Sequence, residues 1–249
     1  MKRLLFRADD LGYSEGINYG IAESVRKGVI KNVGLMPNME MAAHGVGLLK
    51  EERICLGQHT NICIGRPVSD PAKIPSLVDE NGLFKRSAVY RNAEKDFVVL
   101  EEAVIEIEAQ YRRFLELTGR KPGYFEGHAV KSEKFFKGLQ IVAKRHELKY
   151  IPFPDKMGEP VHIGNSLVYM YSGSTNESSP DECLRKIVRE GAEDCIGMIV
   201  YHPGYLDAFI LGNSSLTTGR TYETEMLCSR RMQEYLRTEK IRSITCDEL

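Results

Sequence analysis

The chain has 249 residues, a formal net charge of -1, and 42% hydrophobic against 28% charged residues, which leaves no basic field for nucleic acid. No apolar run reaches the roughly 18 residues of a membrane span, and the apolar start of MKRLLFRADD breaks at Arg7, too early for a secretory signal. Its six cysteines (55, 63, 183, 195, 228 and 246) include no C-x-x-C pair, so reduced thiols and a cytoplasmic location are expected.

Residues 4–7 are the first predicted strand. Ser14 then stands as an N-cap, and Ile17, Ile21 and Val25 recur every four residues up to Gly28, which predicts a helix. A strand over 29–36, a helix over 41–50 and a strand over 54–62 follow, then a loop rich in Gly, Pro and Ser around 65–87. The helix over 100–117 carries Ala103, Ile107, Tyr111, Phe114 and Leu115 on one face and is stopped by Gly119 and Pro122. A strand over 124–128 and a helix over 132–147 come next. Two strands, 150–153 and 167–171, lead to a helix over 180–191 and the very apolar strand 196–201. A helix over 223–239 and a strand over 242–246 end the series. Strand and helix alternate without a linker or repeat, which predicts one domain over residues 1–249 with a parallel α/β sheet. Seven or eight such units fit a (β/α) barrel, with a doubly wound open sheet as the alternative. No G-x-G-x-x-G follows the first strand, so dinucleotide binding is not expected.

The unusual polar residues fall at strand ends. Asp9 and Asp10 end the first strand, and His59 lies near the end of the third. Glu126 and His128 end the fourth, and His202 follows the late apolar strand. In parallel α/β folds these positions share the carboxyl face of the sheet, where sites are built. Any one of them alone fits an ordinary structural or exposed residue; their coincidence at one face carries the argument. His44, His146 and His162 lie in helical or irregular stretches and stand outside the set. A carboxylate oxygen and two imidazole nitrogens suit a divalent cation with open positions. A second carboxylate could take a proton from water, and a histidine opposite could protonate a leaving group. That chemistry suits hydrolysis of an amide or an ester, without saying which.

Residues 7–21, R-A-D-D-L-G-Y-S-E-G-I-N-Y-G-I, resemble the opening N-A-D-D-F-G-L-S-x-G-x-N-x-G-I of the YdjC-like carbohydrate deacetylases, which include chitooligosaccharide deacetylases. The likeness continues through Leu35-Met36-Pro37-Asn38, Gly57-Gln58-His59, residues 77–84, residues 110–114 and His202-Pro203-Gly204-Tyr205. The resemblance implies a distorted, TIM-like (β/α) barrel of about seven parallel strands that removes an acetyl group from a small N-acetylated sugar, phosphorylated forms included. On that alignment Asp10, His59 and His128 would hold one divalent ion, Asp9 would be the general base and His202 the acid. The family implies Mg²⁺, while the donor set equally suits Zn²⁺, Co²⁺ or Mn²⁺. Arg7, Tyr13, Asn38, Glu126 and Tyr205 are the expected substrate contacts, the two tyrosines as stacking faces. A homodimer is the default assembly.

Two departures stand out. The family's fourth-strand motif T-H-x-D-S-H-H-H-V-H is here Gly123-Tyr124-Phe125-Glu126-Gly127-His128-Ala129-Val130-Lys131-Ser132, with one histidine kept and Glu in place of Asp. Arg7 replaces the family's Asn, either to hold a substrate anion or to pair with Asp9. These changes support a competing reading as a sugar-binding or regulatory protein with impaired catalysis. A metal hydrolase for another small ester or amide is a further alternative.

Overall fold

Nine residues, Arg3–Leu11, form the first strand (β1), and every one from Leu4 onward is buried. The computed structural model describes residues 2–154, 156–175, 178–191 and 195–249. After β1 come α1 (Glu15–Arg26), β2 (Asn32–Leu35), α2 (Ala42–Leu48) and β3 (Cys55–Thr60). A long connection carrying α3 (Ser87–Asn92) leads to α4 (Leu100–Thr118), β4 (Phe125–Gly127) and α5 (Glu133–His146). The β5 (Pro160–Ile163) and β6 (Ser166–Ser172) hairpin precedes α6 (Pro180–Glu190) and β7 (Ile196–Tyr201). Then follow α7 (Ala208–Asn213), α8 (Thr218–Cys228), α9 (Arg230–Thr238) and β8 (Arg242–Ser243).

The strands lie in the order β4-β3-β2-β1-β7-β6-β5, with β8 beside the start of β1. All neighbours are parallel except β5, which turns back on β6, so among the described residues seven of the eight strands share one direction. The sheet curls into a half-barrel: Glu126 of β4, near one end of the order, and Met170 of β6, near the other, line the same cavity. The expected barrel is therefore the fold, and the flat doubly wound alternative is not. Among the described residues no helix is long and apolar enough to cross a membrane.

β1 shows how the fold builds a site. Leu4, Phe6 and Ala8 face outward into a core shared with Ile17, Ile21 and Leu227. Leu5 points inward, where Tyr124, Met198 and Ile244 plug the amino end of the barrel. With side chains alternating at a period of two, Arg7 and Asp9 follow Leu5 into the interior above that plug.

Local signals behave as their chemistry dictates. Ser14 caps α1 from an extended conformation, its hydroxyl accepting from the Ile17 N–H at 3.3 Å. Ser14→Ala is expected to cost roughly 0.5–2 kcal/mol in urea unfolding, since it orphans that donor. Gly119 ends α4 in the left-handed conformation at φ 69°.

Several boundaries differ from expectation, the first strand among them, which is expected over 4–7 and runs from Arg3 to Leu11. α1 closes on Lys27, whose N–H reaches the Glu23 carbonyl at 2.8 Å, one residue before Gly28. The helix expected over 223–239 starts earlier, at Thr218, and breaks at Ser229, which is extended and caps α9 through Met232 N–H at 3.2 Å. The strand expected over 150–153 reduces to one bridge from Tyr150 to Phe125, because Pro152 and Pro154 have no N–H for a ladder. The last strand is only Arg242–Ser243 before a 3₁₀ turn over Cys246–Glu248. Hairpin strand β5 and the short helices α3 and α7 carried no sequence signal.

Candidate metal and acid–base site

Adjacent strand residues normally face opposite sides of a sheet, so Asp9 and Asp10 should diverge. They do not, because Asp10 has φ 78° and the pairing of β1 with β2 slips between Ala8 and Leu11. This bulge brings Asp10 to the side of the sheet that Asp9 already faces, a strained backbone at the point where side chains must converge. Neighbouring β2 makes room with Gly34, where a Cβ would lie 2.8 Å from Asp9 Oδ1.

Three donor atoms meet above this bulge. Asp10 Oδ1 lies 3.3 Å from His59 Nε2 and 3.2 Å from His128 Nδ1, and the two ring nitrogens are 2.8 Å apart. Asp10 Oδ1 is fully buried yet accepts no hydrogen bond of acceptable geometry. An orphaned carboxylate oxygen facing two imidazole nitrogens is a donor set that a divalent cation satisfies. Behind it, His59 Nδ1 is bonded to Glu126 Oε1, which leaves Nε2 as the nitrogen presented to Asp10. Glu126 thus bonds a histidine ring through Oε1 and also lines the cavity in which the sequence places it as a substrate contact.

Each of the two aspartates has its own buried arginine. Arg7 Nη2 lies 2.6 Å from Asp9 Oδ2 and 3.7 Å from Glu126 Oε2. Arg220 Nη2, from α8, lies 2.7 Å from Asp10 Oδ2. Burial alone would raise both aspartates, but Arg7 beside Asp9 and Arg220 beside Asp10 outweigh it and hold both below the ordinary carboxylate range. Burial opposes a charge on His59, yet Glu126 and Asp9 push it well above the usual imidazole value. The interior thus favours positive charge between these carboxylates.

His202 leaves β7 with its peptide clamped from α8: its N–H donates to Glu223, and its carbonyl accepts from Arg220 Nη1 at 3.3 Å. His202 and Asp9 line one cavity of about 260 Å³, together with Arg7, His59, Glu126 and His128. Arg220 and Glu223 were not singled out in the sequence. They stand in Thr-Gly-Arg-Thr-Tyr-Glu-Thr, a polar helix start in which buried charges look like exposed ones.

The remaining expected contacts separate. Tyr13 is buried beside the site, its ring 6.2 Å from His128 and under Arg220 at 5.6 Å. Asn38 is committed to loop closure, donating to the Ile64 and Arg66 carbonyls at 3.2 and 3.1 Å and accepting from Asn61. Tyr205 turns away and bonds through its hydroxyl to Glu23 on α1.

Residues 3–238 match the model of the YdjC-like protein family. A carbohydrate deacetylase of Brevibacillus brevis is 32% identical over 255 residues, covering 99% of both chains. Carbohydrate deacetylase 2 of Listeria innocua is 29% identical, over 99% of this chain and 98% of its own. A crystal structure of an Enterococcus faecalis protein, described as a candidate cellobiose-phosphate cleavage protein, superposes with a TM-score of 0.84 at 22% identity, covering 99% of this chain and 98% of that one.

Proposed function

The chain belongs to the YdjC-like protein family, and on that premise we propose that it hydrolyses the N-acetyl group of small N-acetylated sugars such as di-N-acetylchitobiose. The observation that carries this reading is the sharing of one cavity by Asp9, His202 and the histidines of the ion-binding trio. The carbohydrate deacetylase name of the relatives supports the reaction class. Asp10, His59 and His128 would hold the divalent ion, Mg²⁺ by family resemblance or Zn²⁺, Co²⁺ or Mn²⁺ by donor type. Such an ion, when bound, supplies polarisation of the acetamide carbonyl and eases deprotonation of water.

The protein's own residues do the proton work. Asp9 Oδ2 is occupied by Arg7, whereas Oδ1 has no protein partner, which leaves Oδ1 as the uncommitted oxygen for the proton of a water admitted to the site. Arg7 makes Asp9 a weaker base than a free carboxylate, and in return fixes its orientation. His202 donates a proton to the amine nitrogen as the C–N bond breaks, releasing acetate and the free amino sugar. The competing reading, a sugar binder without turnover, draws on Ala129, which lines the cavity where the family carries histidine.

Acetate release from di-N-acetylchitobiose and its 6-phosphate tests the choice. Asp9→Asn is expected to slow release by about 10²–10⁴-fold, and a chelated sample should release none. A protein that binds a divalent ion tightly yet frees no acetate from either sugar would leave the binding role as the better reading.

A further inference from the structure

Phe153 takes no part in the ion-binding or acid–base arrangement described above. It stands in Ile151-Pro152-Phe153-Pro154, where the two prolines prevent strand pairing and fix the backbone on either side. Its side chain is 53% exposed, although burying a phenylalanine is worth about 1.5–3 kcal/mol, and its neighbour Met157 is 41% exposed. The ring is nonetheless held in place. It lies parallel to half-buried Phe136 of α5, with an interplanar angle of 11° and centroids 6.3 Å apart.

This stacked aromatic pair sits at the boundary of two spaces. Phe136 and Phe153 line the 260 Å³ cavity that holds Asp9 and His202, and they also line a groove of about 440 Å³ bounded by Tyr90, Phe97 and Lys131. The small cavity falls below the roughly 300–1,000 Å³ of pockets that enclose drug-sized ligands, so a second ring of a sugar chain must lie outside it. On the Phe153 side it meets an aromatic face that is stacked on Phe136. An apolar pyranose face fits such a surface, and little ordering remains to be done on binding.

We infer that Phe153, backed by Phe136, is a stacking platform for the second pyranose ring of the substrate, and so a determinant of sugar chain length. This rests on the reading of the site as a sugar site. Phe153 is exposed, so Phe153→Ala should leave the thermal melt in place. Calorimetric titration of the Asp9→Asn protein, with and without Phe153→Ala, would compare N-acetylglucosamine with di-N-acetylchitobiose. The preference for the two-ring sugar is expected to shrink by about 10-fold on losing the ring, the scale of one aromatic contact, and to be largely kept in Phe153→Tyr. An unchanged preference in Phe153→Ala would overturn the platform even if the unsubstituted enzyme released acetate. A Phe153-dependent preference in a protein that releases none would keep the platform and discard the hydrolase reading. No binding of either sugar would overturn both.

Discussion

Asp10→Ala is expected to lose the divalent ion and much of the fold's stability together. Ion affinity should fall by more than the ~10–100-fold typical of an outer-shell partner, because on the proposed assignment Asp10 would supply the one oxygen donor beside His59 and His128. The stability loss has a separate cause. Arg220 is only 2% exposed and pairs with Asp10 Oδ2 at 2.7 Å, so alanine leaves a buried guanidinium without its counter-charge. Removing one partner of a buried pair costs about 3–5 kcal/mol. Asp10→Asn separates the two effects, since its carbonyl oxygen can still accept from Arg220 while its donor power toward a cation is much reduced. The prediction is read by ion titration beside urea unfolding of both variants. An Asp10→Ala protein with full ion content would end the assignment of Asp10 as a ligand, whatever its melting behaviour.

The order of elements and the strand-end polar residues were legible because each rests on short-range chemistry. Helices α1, α4, α5 and α6 announce themselves by period and cap, and β7 by a run of buried apolar residues. What was not legible depends on contacts distant in sequence. Nothing in residues 218–224 tells that Arg220 and Glu223 turn inward to grip Asp10 and the His202 peptide. The left-handed backbone at Asp10 is likewise silent, since Asp is common in turns and the bulge exists only against β2. Phe153 was masked by its own composition, for Tyr150-Ile151-Pro152-Phe153 reads as a strand until the prolines are given their full weight. Tyr205 attracted attention as an aromatic beside a site motif, yet its hydroxyl is spent on Glu23.

Two departures from the family motif, 119 positions apart as Arg7 and Glu126 number them, meet inside the barrel, and this predicts strong coupling between them. Arg7 is 4% exposed and Glu126 5%, and Arg7 is the cation that lies between Asp9 and Glu126, at 2.6 and 3.7 Å. Arg7→Met leaves those carboxylates facing each other over His59 and is expected to cost about 3–5 kcal/mol. Glu126→Gln removes one negative charge, so Arg7 keeps Asp9, but His59 loses the carboxylate on Nδ1; ion affinity should drop by ~10–100-fold. In the double variant the loss of Arg7 is partly relieved, because one of the carboxylates it neutralised is gone. The double-mutant cycle should therefore show a coupling of about 0.5–3 kcal/mol in unfolding free energy, with the double variant better than the sum. Additivity within about 0.3–0.5 kcal/mol would mean the two residues do not act as one network. The alternative role for Arg7, capture of a substrate anion, makes the opposite forecast. It requires an Arg7→Met protein with an unchanged melt and weakened binding only of the phosphorylated sugar. Arg7 is buried with its Nη2 on Asp9, so the stability loss is the expected result; its Nε, which has no protein partner, is the N–H that the anion role would use.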